Sequence, residues 1–227
     1  MRLDLRSFPD GCGGTVSGVV AFPDAFAPGR TPAIVLAHGA GNDMSNPLLS
    51  AVHEGLADRG YVTIKFNFPY KERGGRAPDP APVLERCYRS VLGAVRASEL
   101  KPGVLVIGGK SLGGRIASHL AAQGEAVAGL LLLGYPLHPP GKLDRLRTSH
   151  LGRITVPMLF LAGTRDSLCD LALLRRTIAE LSAPVTLHVI EDGDHSFQVL
   201  KRTRRDQADV VAELVDVSAA WVRDLEK

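Results

Sequence analysis

The sequence predicts an α/β fold, a mostly parallel central sheet covered by helices on both faces. Three observations carry that expectation. Short, unbroken apolar runs recur along the chain, among them residues 33–37 (AIVLA), 104–107 (VLVI) and 130–133 (LLLL). Stretches with helical apolar spacing separate them. Glycine or proline marks most of the changes from one to the other. A strand that is apolar on both sides must be buried on both sides, which is the situation of a parallel sheet between two helical layers.

In chain order, residues 15–22 read as an edge strand entering the sheet, and strand 33–37 follows. A helical pattern over about 47–59 begins at Pro47 and closes before Gly60. Proline's fixed φ suits the first helical position and glycine suits the residue past the end. Residues 62–66 (VTIKF) form the next strand. Over 82–98, Val83, Leu84, Cys87, Val91, Leu92 and Val95 share one stripe, the period of an amphipathic helix. Strand 104–107, helix 112–122 and strand 130–133 come next. Strand 158–161, a helix around 168–181, strand 185–190 and a last helix over about 207–225 complete the alternation. No repeat or low-complexity tract interrupts it, so residues 1–227 are expected to form one domain.

A chain of 227 residues is within reach of one such domain, burying roughly 70–75% of its unfolded surface. Its 27 basic residues face 24 acidic ones, a net charge of +3. That balance argues against a nucleic-acid partner, which would need a clustered basic face. The run 201–205 (KRTRR) reads as a solvated loop or helix start. Cys12, Cys87 and Cys169 are far apart and odd in number, so no disulfide framework is expected. The first residues, MRLDLRSFPDG, lack the apolar core of a leader peptide. The longest apolar stretch, 126–133, is far short of the roughly 20 residues that span a bilayer, so no membrane partner is expected. A reducing, cytoplasmic setting follows as the expectation. Nothing in the sequence sets an oligomeric state.

The stretch VLVIGGKSLGGR, residues 104–115, admits two chemistries. Gly109-Lys110-Ser111 could end a phosphate-binding loop, but that motif needs a glycine at position 104, which is Val104. The same residues also spell G-x-S-x-G between a strand and a helix, the turn that presents a nucleophilic serine. The positions two places either side of that serine want almost no side chain, and Gly109 and Gly113 meet the requirement. The helix that follows would aim its N-terminal amides and positive dipole end at an oxyanion on Ser111.

A serine needs a base, and in an open α/β sheet the partners gather at the carboxyl ends of strands. Asp166 follows strand 158–161 in AGTRDSLCD, and His195 follows strand 185–190 in EDGDHSF. Asp170, Asp192 and Asp194 compete with Asp166 for the role of orienting acid. Asp194 adjoins His195 and is poorly directed to reach its far nitrogen, Asp192 would have to fold back sharply, and Asp170 falls within the expected helix. Cys169 reads as a buried, inert thiol. The seven histidines include no H-x-H or H-E-x-x-H spacing, so no metal site is expected.

From about Ala33 to the C-terminus the chain resembles an α/β-hydrolase of the small, lid-poor branch related to dienelactone hydrolases. Within that branch it is similar to a group of short bacterial hydrolase-like proteins. The residues that carry the resemblance are His38-Gly39-Ala40-Gly41, Phe66-Asn67-Phe68-Pro69-Tyr70 and Gly108-Gly109-Lys110-Ser111-Leu112-Gly113-Gly114-Arg115. It implies hydrolysis of an ester or related acyl bond of a small soluble substrate through an acyl-serine intermediate, with no cofactor. Ser111 would attack, His195 would move the proton and Asp166 would orient the imidazole. The backbone N–H groups of Ala40 and Leu112 would form the oxyanion hole, Tyr70 and Lys110 would contact substrate, and His38 would be a structural hydrogen-bonder under the loop. Two readings of Lys110 stay open: an ammonium close to His195 that disfavours imidazolium, or a side chain turned away to pair with a carboxylate. The loop 69–82, with Lys71, Arg73 and Arg76, either greets an anionic substrate or is a solvated connector. Residues 134–157, where this fold often inserts a cap, are short and broken by Pro136, Pro139, Pro140 and Gly141, so the site is expected to be open. The rival reading is a catalytically silent scaffold that serves as a protein-interaction module.

Overall fold

The computed structural model describes residues 1–227. Eight strands form one sheet: β1 (Arg2–Pro9), β2 (Thr15–Phe22), β3 (Ala33–Ala37), β4 (Val62–Phe66), β5 (Leu105–Lys110), β6 (Gly129–Leu133), β7 (Met158–Gly163) and β8 (Val185–Ile190). Their order across the sheet is β1-β2-β4-β3-β5-β6-β7-β8. β1 and β2 form an antiparallel hairpin, and β2 joins β4 antiparallel. Every pairing from β4 through β8 is parallel. The central strands β3, β4, β5, β6 and β7 are buried along their whole length, as their continuous apolar runs require.

Six helices cover the sheet: α1 (Pro47–Asp58), α2 (Pro69–Glu72), α3 (Ala81–Ala97), α4 (Leu112–Ala122), α5 (Leu171–Ala179) and α6 (Gln207–Asp224). Alternate residues of β3 serve the two faces. Ala33, Val35 and Ala37 join a core with Leu84 and Tyr88 of α3, Ile116 of α4 and Leu174 of α5. Ile34 and Leu36 join the opposite core with Leu49 and Leu56 of α1 and Leu214 and Val222 of α6. Local signals fix the helix starts. The Asn46 side chain accepts the Leu49 N–H ahead of Pro47 in α1, and the Asp170 side chain does the same for Leu173 in α5. Such caps contribute about 1 kcal/mol each. Tyr88 of α3 ties two strands together. Its hydroxyl lies 2.6 Å from the Val35 carbonyl oxygen and accepts the Gly108 N–H at 3.1 Å, just before the chain leaves β5.

The structure departs from the sequence reading at several elements. β2 is interior, because the unforeseen strand β1 takes the edge. Leu3 and Leu5 of β1 are 50% and 85% exposed, so their alternation with charged residues did not signal burial. β5 runs on through Gly108 and Gly109 to Lys110, where Gly109 pairs with Ala37 and Lys110 with Leu133, so the turn begins at Ser111 itself. α5 starts at Leu171, with Asp170 as its cap rather than inside it. The loop after β4 contains the single turn α2. Residues 134–157 carry only the 3₁₀ turn Leu151–Arg153 and build no cap over the sheet. No helix is long and apolar enough to cross a membrane.

Candidate active site

Ser111 stands between β5 and α4 with φ 51° and ψ −111°, a conformation that costs a non-glycine residue about 1–3 kcal/mol. The neighbouring elements hold it there. The Ser111 N–H donates to the Leu133 carbonyl at 2.9 Å, and its own carbonyl accepts the Arg115 N–H at 3.0 Å. A Cβ on Gly109, at φ +148°, would fall 2.2 Å from the Ala37 carbonyl oxygen, and one on Gly113 would fall 2.1 Å from the same atom. Both contacts are with backbone, so only glycine lets β5, the turn and α4 approach β3 this closely.

The loops after β7 and β8 meet at this turn. His195 Nε2 lies 2.9 Å from Ser111 Oγ, and His195 Nδ1 lies 2.8 Å from Asp166 Oδ2. A carboxylate only accepts, so Nδ1 carries the proton and Nε2 accepts from the serine hydroxyl. The Asp166 side chain is fully buried, and its second oxygen accepts the Leu168 N–H at 2.8 Å. The other carboxylates are engaged elsewhere. Asp194 Oδ1 accepts the Ser196 and Gln198 N–H groups, which shapes the loop that carries His195. Asp170 caps α5, and Asp192 Oδ1 lies 3.6 Å from Arg202 Nη2. Phe197, wholly buried at φ 58°, anchors the same loop, and its carbonyl accepts the Gln207 side chain. In such an arrangement the imidazole can take the hydroxyl proton while the buried carboxylate holds the ring in place.

Ser111 opens into a pocket of about 400 Å³ shared with Ala40, Leu112, Leu84, Pro136 and Leu168. Leu112 is the first residue of α4, so its N–H has no intrahelical acceptor. The Ala40 N–H in the turn after β3 donates to no backbone carbonyl. His38 holds that turn from below. The Phe68 N–H donates to His38 Nε2 at 3.1 Å, and His38 Nδ1–H donates to the Gly39 carbonyl at 2.9 Å. Burial pushes the pKa of His38 down to about 4, so it stays neutral. A larger, apolar groove of about 530 Å³ between α1 and α6 reaches none of Ser111, Asp166 and His195.

The two side chains assigned to substrate contact from the sequence lie outside that pocket. Tyr70 is buried in α2 with its ring edge-on to His38 at 5.7 Å, so it packs beneath the turn after β3. Lys110 is the last residue of β5 and is buried. Its ammonium and the His195 ring both lie within 4 Å of where a Gly134 Cβ would be. It is close to His195, as the first of the two sequence readings has it, and carries no ion pair of its own, whereas the second reading requires one. Arg73 of the following loop is ion-paired with Asp79 at 2.6 Å. Cys169 is buried, and burial next to Asp166 pushes its thiol up to about 12, which removes it as a nucleophile. No group of three His, Cys, Asp or Glu side chains is gathered to hold a metal ion. Sequence reasoning missed Arg115 and Arg147 in the pocket wall. Arg115 follows Ser111 by four residues, a spacing that on a helix means the same face. Arg147 lies in an irregular segment with no periodic signal.

Burial pushes the pKa of Lys110 down to about 8, against the pull of Asp166 and Asp194. The folded protein therefore releases this proton before the unfolded chain does, and stability gains from pH 8 up to about 10.4, the unperturbed lysine value. Below pH 8 the buried ammonium is a constant cost. Lys110→Met is expected to be more stable than the parent at pH 7 by roughly 1–3 kcal/mol, with the gap narrowing by pH 10. Urea titrations at the two pH values measure it, and a gap that does not narrow overturns the burial argument.

Comparisons with known proteins agree with this fold. Residues 30–223 match the family described as an alpha/beta hydrolase domain. The fold is similar to that of a dienelactone hydrolase from Anabaena variabilis, with 19% identity, a TM-score of 0.77 and 98% and 97% of the two chains covered. It is also similar to a lid-less α/β serine hydrolase from Xanthomonas campestris (21%, TM-score 0.73, 97% and 95%). The esterase domain of a Rhodothermus marinus protein is a third (16%, TM-score 0.73, 99% of each chain). At these identities the likeness to the solved structures is one of fold.

Proposed function

Because the chain belongs to the alpha/beta hydrolase family, we propose that it is a serine hydrolase that cleaves an ester or related acyl bond of a small substrate through an acyl-serine intermediate. The observation that carries this reading is the continuous hydrogen-bonded run from Ser111 Oγ through His195 to the buried Asp166.

Ser111 Oγ attacks the acyl carbonyl carbon as its proton passes to His195 Nε2. The carbonyl π electrons move to oxygen, and the N–H groups of Ala40 and Leu112 receive that oxyanion, each such donor being worth about 10²–10³ in rate. Asp166 keeps the imidazole in the accepting tautomer and stabilises the imidazolium once it forms. The intermediate collapses, the bond to the leaving oxygen breaks, and His195 gives the proton to that oxygen. A water then repeats the sequence on the acyl-enzyme, losing a proton to His195 and releasing the acid as Ser111 regains its hydrogen. Tyr70 and His38 act by supporting the turn that carries Ala40.

A fluorophosphonate probe tests the reading, since only an activated serine displaces its fluoride. The label is expected on the peptide containing Ser111, and no label there overturns the proposal in favour of a silent scaffold. The uncapped pocket adds a second expectation. Short, water-soluble esters should be the better substrates, with no jump in rate at a lipid–water interface. A steady rise in kcat/KM out to long-chain esters would reveal an acyl channel that this pocket does not provide.

A further inference from the structure

The pocket at Ser111 holds charge that the hydrolytic steps do not use. Arg115 stands one turn along α4 from the serine. Arg147 comes from the segment after β6 and is fixed in place. Its N–H donates to the Leu137 carbonyl at 2.8 Å, its Nη1 donates to the Pro136 carbonyl at 3.3 Å, and its carbonyl accepts the Tyr135 hydroxyl at 2.7 Å. Both arginines line the pocket with Ser111 and Ala40. Arg115 Nε is buried with no partner. Burial, and after it the like charge of Arg147, hold the Arg115 guanidinium below its ordinary pKa, and no carboxylate is among the groups acting on it. Asp79, the acidic residue of the pocket wall, pairs through Oδ1 with Arg73, its Oδ2 is buried without a partner, and it is not among the groups acting on Arg115. Two guanidiniums that share one pocket wall with no carboxylate paired to either are unfavourable in the free protein, and an anion bound to both relieves the repulsion and the unmade hydrogen bond.

We propose that Arg115 and Arg147 form a subsite that selects substrates whose short acyl chain ends in an oxyanion, either a carboxylate or a phosphoryl-type group. The inference rests on the acyl-serine reading above and names its substrate class. The oxyanion belongs to the acyl part for a geometric reason. The leaving oxygen must lie at His195 Nε2 to receive its proton, whereas the pocket runs from Ser111 toward α3 and the segment after β6 without touching His195. Leu84, Pro136 and Leu168 offer apolar walls to the intervening methylenes. The forked, planar guanidinium matches the paired oxygens of either anion.

The test uses three 4-nitrophenyl esters of matched length on the full chain: valerate, glutarate and 4-phosphonobutyrate, each corrected for its spontaneous hydrolysis. The protein is expected to favour at least one anionic ester over valerate in kcat/KM by about tenfold or more. Arg115→Met and Arg147→Met should each lower that ratio about tenfold, chiefly through KM, and Arg115→Lys, which keeps the charge without the fork, should fall between. Preference for glutarate identifies a carboxylic end, and preference for the phosphonate a phosphoryl one. A ratio near one in the parent, or a ratio that neither methionine variant moves, overturns the subsite. Fluorophosphonate labelling separates the two levels. Labelling with no anionic preference removes this inference alone, whereas no labelling and no hydrolysis of any ester removes the acyl-serine reading beneath it.

Discussion

Ser111→Ala is expected to lower kcat for ester hydrolysis by about six orders of magnitude and to abolish fluorophosphonate labelling. The size of the effect follows from how the parts are joined. Ser111, His195 and Asp166 form one hydrogen-bonded run, and in such a unit removal of the nucleophile costs about as much as removal of the whole, on the order of 10⁶. What remains is the contribution of the oxyanion donors and of binding, about 10³–10⁴ over water in a serine-protease template. The fold should not suffer. The backbone bonds that hold residue 111, from its N–H to the Leu133 carbonyl and from the Arg115 N–H to its carbonyl, do not involve the hydroxyl. An unchanged circular dichroism spectrum is therefore expected. Persistent full-strength labelling, or activity within tenfold of the parent, sinks the assignment of the nucleophile.

The parts legible in the sequence were those with a local physical signature. Residues 33–37 and 130–133 are continuous apolar runs because both faces are covered, and the pattern states this directly. Gly109 and Gly113 stand at fixed offsets from Ser111 because backbone atoms of β3 occupy the space where their side chains would be. Asp166 and His195 come together beside Ser111 because strand ends in a parallel sheet converge, so position relative to a strand is a guide to position in space. β1 was invisible for the complementary reason. An edge strand with exposed Leu3 and Leu5 has no buried face to write into its sequence.

The side chains of Tyr70, Lys110, Arg115 and Arg147 illustrate the limit of that reasoning. Their positions in the chain were known, but the direction in which each points is set by tertiary packing. The resemblance implies substrate contact for Lys110 and Tyr70, and the residues around Lys110 leave the direction of its side chain open. Instead β5 carries the Lys110 side chain to the buried side, and Tyr70 turns under the His38 loop. Arg115 and Arg147 are 32 positions apart, and only the fold brings them to one wall.

Asp166→Asn is expected to lower kcat about 10⁴-fold with the fold intact, and the hydrogen bonds of the parent dictate how. Asp166 uses Oδ1 to accept the Leu168 N–H and Oδ2 to accept His195 Nδ1–H. An asparagine here keeps its carbonyl oxygen on Leu168, because that N–H can only be satisfied by an acceptor. The amide NH₂ is then turned toward His195, where it needs an acceptor in return. The imidazole responds by moving its proton from Nδ1 to Nε2, and in that tautomer it can no longer accept from Ser111. In a serine-protease template the same substitution costs about 10⁴ in kcat for this reason. The neighbouring acids provide the contrast. Asp194 accepts the Ser196 and Gln198 N–H groups through one oxygen, which an asparagine carbonyl can replace. Asp170 caps α5 through one oxygen on the Leu173 N–H, and asparagine is as good a cap. Asp194→Asn and Asp170→Asn should each stay within about tenfold of the parent, a barrier change near 1.4 kcal/mol. Steady-state kinetics on the three variants, with circular dichroism as the control, decide it. If Asp170→Asn or Asp194→Asn proves crippling while Asp166→Asn keeps its rate, the orienting acid is not Asp166, and its hydrogen bond to His195 is structural.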